Sequence, residues 1–148
     1  MPELIRFQSA VPSRSGRHPG VFALVNALGR QGLLTPEDTA WWRDANARMT
    51  AAYPDPSTVV PGCYDQQAHP GACAWFKVGS AAPLAATGEY LDVLDRYGVG
   101  WIELHTTHPG HVTYEDDVQV VAVPYTYEAD WWVHDDMPGL AAGAPRDL

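Results

Sequence analysis

Residues 101–124 read WIELHTTHPGHVTYEDDVQVVAVP, and they decide the fold class. Apolar and polar side chains alternate through 101–105, 111–115 and 118–124, the period-two pattern of half-buried strands. Between these runs stand Thr106-Thr107-His108-Pro109-Gly110 and Asp116-Asp117, residue types that favour turns. The spacing predicts a three-stranded antiparallel meander, or one continuous strand over 111–123 in place of its last two members.

Upstream, residues 4–8 alternate in the same way, with Ile5 and Phe7 facing one side and Arg6 and Gln8 the other. A short strand is predicted over 73–78 through Trp75 and Phe76. The intervening chain has helical spacing. Val21, Leu24, Val25 and Leu28 share one face of a helix that opens at His18-Pro19-Gly20 and stops at Gly32. Thr35-Pro36-Glu37-Asp38 offers a cap, a first-turn proline and two acids at the positive end of the dipole, so a second helix is predicted over 36–52. Its expected buried stripe is Trp41, Ala45, Met49 and Ala52, and the short Leu33-Leu34 connector makes it antiparallel to the first helix. A long ordered loop is expected over 53–71. A third helix is expected over 87–97, with Tyr90, Leu91, Leu94 and Tyr97 inward and Gly98 as its stop.

Helices and strands are segregated rather than strictly alternating. The fold class expected is therefore α+β: three helices packed on one face of a small, mainly antiparallel sheet, followed by an irregular acidic-aromatic C-terminal segment containing Trp131-Trp132. The length, 148 residues, suits one domain over 1–137 with a flexible tail over 138–148.

Hydrophobic residues make up 46% and charged residues 18%, enough apolar material for a core. The longest apolar stretches run to about five residues, against roughly 20 for a bilayer span. The start, Met1-Pro2-Glu3, has neither a basic nor an apolar leader region, which gives a cytoplasmic expectation and no membrane partner. Charge is divided unevenly: residues 1–50 carry a net of +2 and residues 51–148 a net of −11, which makes the overall −9. Cations are too few outside the first thirty residues for a duplex-binding surface, so nucleic acid is an unlikely partner. Cys63 and Cys73 lack the spacing and the partner ligands of a zinc site, and they read as free thiols.

Four clusters carry possible chemistry. The first is Pro12-Ser13-Arg14-Ser15-Gly16-Arg17-His18-Pro19-Gly20, just before a helix. Guanidinium groups grip phosphate bidentately and helix N-termini present free N–H groups, so Arg14, Ser15, Arg17 and His18 are candidate ligand-binding residues. The segment is neither a Walker A loop nor G-x-G-x-x-G; the plainer alternative is a solvated basic loop. The second is His105, His108, His111 and Glu115, a donor set that zinc or iron accepts, although residues three apart on a strand face opposite ways. A metal-dependent site at this turn is one reading, surface histidines another, and proton transfer a third; no residue is assigned as a metal ligand.

The third cluster is Tyr114-Glu115-Asp116-Asp117 leading into Val118-Gln119-Val120-Val121. This segment resembles the E-x-E-V motif of ADP-ribosyltransferases, over about ten residues. The resemblance implies a carboxylate that orients a ribose and stabilises an oxocarbenium-like transition state, with the Arg6 strand and Ser80 following in the family's order. Asp117 stands where that family has Glu, and there is no S-T-S triplet. The fourth is aromatic: Trp41-Trp42, Trp75, Trp101 and Trp131-Trp132 with seven Tyr, rings that build cores and also stack planar ligands. Trp101 is the ligand-stacking candidate among them.

These readings converge on a small enzyme or ligand-binding domain acting on a phosphate-bearing, nucleotide-like small molecule. Arg14, Ser15, Arg17, His18 and Trp101 would hold the ligand, and His111 and Glu115 would supply acid, base or oxocarbenium stabilisation. No cofactor is named by the pattern. The alternative is a non-catalytic acidic interaction module of immunity or inhibitor type that meets a basic protein partner. The metal site at the histidine turn is the third reading.

Overall fold

The computed structural model describes residues 1–126; the acidic-aromatic segment with Trp131-Trp132 and the tail from Pro138 lie outside the described residues. In chain order the elements are β1 (Leu4–Ser9), α1 (Val21–Arg30), α2 (Pro36–Ala52), α3 (Pro56–Val59), β2 (Cys73–Lys77), α4 (Ala81–Arg96), β3 (Trp101–Thr106), β4 (His111–Glu115) and β5 (Gln119–Val123). The strands form one antiparallel sheet in the order β3-β1-β2-β5-β4, and the fold is α+β.

Caps place the helices. Thr35 accepts a hydrogen bond from the Asp38 backbone N–H at 3.1 Å, with Pro36 in the first turn of α2. Asp55 repeats the device at Pro56, accepting from the Ser57 backbone N–H at 2.9 Å, and this turns part of the expected loop into the single turn α3. The expected third helix begins at Ala81 rather than Thr87, because the alanine-rich start favours helix and tolerates Pro83 in the first turn. Thr87 instead donates back to the Pro83 carbonyl from inside that helix. In α2, Ala45 is buried as expected and Ala52 is exposed; Trp41 and Met49 are half-buried against the core.

The expected meander is only half present. β4 and β5 form a hairpin, whereas β3 pairs with β1 along six residues at the opposite edge of the sheet. Turn chemistry fixes where a strand ends but leaves open which neighbour the next one joins, and β1 was free to take β3.

Strand parity sorts the core. Leu4, Trp75, Val120 and Ala122 share one face of the sheet, fully buried with Leu104 and Cys73 beside them. The other face carries Phe7 into the larger cluster built from Val21 and Val25 of α1, Ala45 of α2, and Tyr90, Val93 and Leu94 of α4. Leu4 therefore shares its side of β1 with Arg6 and Gln8, a side that is buried rather than wet.

Candidate functional site

β1 and β2 pair only through Leu4 with Lys77 and Ile5 with Phe76. Beyond Ile5 the ladder stops, and the Arg6 side chain bridges the gap. Its Nη1 donates to the Ala74 carbonyl at 2.9 Å, its Nη2 to the His18 carbonyl at 3.3 Å and its Nε to Gln8 Oε1 at 2.9 Å. A guanidinium has five N–H groups, so two remain without a protein partner. All three acceptors are neutral, and no carboxylate among the described residues forms an ion pair with Arg6.

Arg6 lines two clefts. One, of about 440 Å³, lies among α1, α2, β2 and the Pro54–Pro56 corner, with Phe22, Tyr53, Tyr64 and Phe76 as ring-bearing walls, Asn26, Asn46 and Gln119 as neutral polar ones and Asp55 as an acid in the lining. The other, of about 430 Å³, is walled by Ser13, Ser15, Arg17 and His18 on one side and by Gly71, Cys73 and Pro124 on the other. The start of α1 sits against the same guanidinium: a Cβ built on Gly20 would stand 3.5 Å from both Nη atoms. Gly20 gives α1 no side-chain cap, and there is no acid in its first turn. The helix contributes about half a positive charge here. A helix N-terminus, Arg6 and Arg17 thus gather positive potential around the second cleft, whose lining holds no acid, which is the arrangement that favours an anion; the first cleft has Asp55 in its lining.

The titrating groups nearby feel this field. Burial pushes the Cys73 thiol up, while the charges of Arg6 and Arg17 pull it back toward the thiolate. Burial likewise raises the Tyr64 phenol, with Cys63 and Asp55 adding to the effect and Arg6 opposing it. Both cysteines are free thiols.

Of the residues the sequence suggested for ligand binding, Ser15, Arg17 and His18 line the second cleft together, and Arg14 lies outside both linings. The turn at Gly16, with φ +80°, closes the loop, and Ser13 and Ser15 hydroxyls meet at 2.9 Å. His18 Nδ1 donates to the Ser9 carbonyl at 2.9 Å, which leaves Nε2 as the acceptor in the neutral ring. Trp101 is taken up by packing: its indole donates to Asp95 and its ring meets Phe7 edge-on at 5.9 Å.

His111 and Glu115 do not come together. A bulge at Thr113 shifts the β4 register, so His111 opposes Val123 and Glu115 opposes Val120, residues on opposite faces of the sheet. His111 rests against the Tyr125 ring, Glu115 pairs with Lys77 at 2.8 Å, and neither lines either cleft. The other histidines are also apart. His105 is held between Glu3 and Glu103 on β3, a position that raises its pKa chiefly through the Glu103 hydrogen bond, and His108 meets the Thr107 hydroxyl. β3 and β4 are the two edges of the sheet, and no group of three or more His, Cys, Asp or Glu that could hold a metal occurs among the described residues. Asp116 serves the hairpin: it accepts from the Tyr114 hydroxyl, the Val118 and Gln119 backbone N–H groups and the Gln119 amide. Ser80 precedes α4 without capping it.

Sequence reasoning passed over Arg6 as an anion-facing residue, together with Asn26 and Gln119. One signal was present: Leu4 has the parity of Arg6 and Gln8, which marks that side of β1 as covered. Comparison of the chain with protein-family models, with curated proteins and with solved structures finds no match.

Proposed function

We propose that this chain binds a phosphate-bearing, nucleotide-like small molecule across the gap between β1 and β2. The observation that carries this reading is the Arg6 guanidinium, half-buried, satisfied only by neutral acceptors and common to both clefts. Phosphate oxygens suit its two remaining N–H groups, the uncapped start of α1 and the Arg17 side chain. The ring-lined cleft beside it offers room and apolar walls for the rest of the molecule. The reading assigns binding and no reaction. The oxocarbenium chemistry implied by the resemblance would need the carboxylate of the 114–117 segment in the cleft, and Glu115 is engaged with Lys77 instead; the acid that does line the cleft is Asp55, which caps α3.

Thermal unfolding in phosphate, pyrophosphate, a sugar phosphate and ADP, at low and high salt, tests the reading. A ligand at about 100 times its Kd adds roughly 2.7 kcal/mol, or about 5–10 °C in a chain this long. Arg17→Ala changes an exposed side chain, so the fold should persist while the ligand-induced rise shrinks, most clearly at low salt. A rise unaffected by Arg17→Ala, or none with any phosphate compound, overturns the proposal; the second result points to the acidic partner-binding module.

A further inference from the structure

The ring-lined cleft carries two amides whose orientation is fixed from behind. An indole N–H can only donate, so the Trp42 Nε1 that lies 2.9 Å from Asn26 must meet an oxygen, Oδ1. The same Oδ1 receives Asn46 Nδ2 at 2.9 Å, and the Asn46 oxygen in turn accepts the Tyr90 hydroxyl at 2.7 Å. Tyr90 stays a donor, because burial pushes its phenol up to about 12. With Oδ1 committed twice, the Asn26 Nδ2 group keeps both N–H bonds without a protein partner. At Gln119 the polarity is reversed. Its Nε2 donates to the Pro54 carbonyl at 3.0 Å and to Asp116 Oδ2 at 3.1 Å. A carbonyl can only accept, so Oε1 is the end left unpaired. Neither the Asn26 nitrogen nor the Gln119 oxygen is sealed from solvent; Trp75 Nε1 is the buried polar atom left unpaired among the described residues.

The geometry points to Asn26 and Gln119 as the residues that select the ligand: the cleft takes a neutral heteroaromatic ring bearing both an acceptor and a donor, the nucleobase of a nucleoside diphosphate whose phosphates lie at Arg6. This inference rests on the phosphate-binding reading and adds the identity of the second moiety. Phe22 and Phe76, edge-on at 6.1 Å, form part of the wall between the two amides' elements, α1 and β5, since Phe76 is the cross-strand partner of Gln119. A bare sugar has no flat face for these rings, and an alkyl phosphate leaves both amides unsatisfied.

Equilibrium titration of pyrophosphate and of ADP, GDP, CDP and UDP into wild type and Asn26→Asp tests the inference. Aspartate keeps an oxygen for Trp42 and Asn46 but turns the donor facing the cleft into an acceptor. At least one nucleoside diphosphate should bind wild type roughly tenfold or more tighter than pyrophosphate, and Asn26→Asp should erase most of that ratio. Trp42→Phe, which removes one of the two donors that hold the Asn26 oxygen and leaves Asn46 as the other, should lower the same ratio, and it serves if the aspartate variant does not fold. Pyrophosphate binding that no base improves, or a ratio unchanged in both variants, overturns the inference and leaves the phosphate reading standing. Failure of pyrophosphate and of every nucleotide to bind wild type overturns both.

Discussion

Asp116 shows how one side chain can fix the shape of a hairpin. Four donors converge on its carboxylate, from the Tyr114 hydroxyl, two backbone N–H groups and Gln119. Burial works against its ionisation, but these bonds together outweigh burial and hold its pKa below the ordinary 3.8. They also push the Tyr114 phenol up to about 12, chiefly through the bond to Asp116 itself. A lowered carboxyl pKa stabilises the fold above the unfolded value, and that contribution disappears as pH falls through the folded value. Asp116→Ala should therefore cost about 2–3 kcal/mol at neutral pH, read by urea unfolding. Part of the difference from wild type should vanish below about pH 4. A difference that stays constant from pH 7 to pH 3 would show that the carboxylate's charge contributes nothing. Asp116 and Asp117 were legible in the sequence as a turn; the reach of Asp116 to Gln119, and through it to Pro54, was not, because it depends on the bulge and on a contact across 65 residues.

Among the elements, α1 and α2 meet through a glycine. A Cβ on Gly29 would stand 2.6 Å from the Trp42 ring, the ring whose N–H orients Asn26. Replacing a helical glycine by alanine ordinarily gains roughly 0.5–1 kcal/mol. Here overpacking reverses the sign: Gly29→Ala should cost about 1–3 kcal/mol by chemical denaturation. A stabilised variant would mean that the two helices part more easily than this contact implies. Helix positions were largely readable because caps and prolines announce them, as at Thr35-Pro36, and so were the strands, through their alternation. Strand order was not readable. Nothing local in 101–106 says that it joins β1 rather than β4, and the short β1–β2 pairing that opens the sheet is a matter of long-range register. The basic loop before α1 stood out through its composition, whereas Arg6 reads locally as an ordinary outward residue of an alternating strand.

At the scale of the whole molecule, a chain of net charge −9 holds one cleft whose lining has Arg6 and Arg17 and no acid, beside a helix start and the Ser13–His18 loop. The acidic remainder repels anions from most of the surface, and the local cations act within about a Debye length, so binding should weaken as salt rises. No helix among the described residues is long and apolar enough to cross a membrane. The central claim is that Arg6 and Arg17 meet a phosphate-bearing ligand together. It is tested most directly by following the arginine side-chain Nε–H resonances while ADP or pyrophosphate is titrated in. The account predicts saturable shifts of Arg6 and Arg17 with one common Kd, and small or no shifts for Arg30, Arg43 and Arg48 on the helices. Shifts spread evenly over all the arginines, or an Arg6 signal that stays still while ligand binds elsewhere, would contradict it.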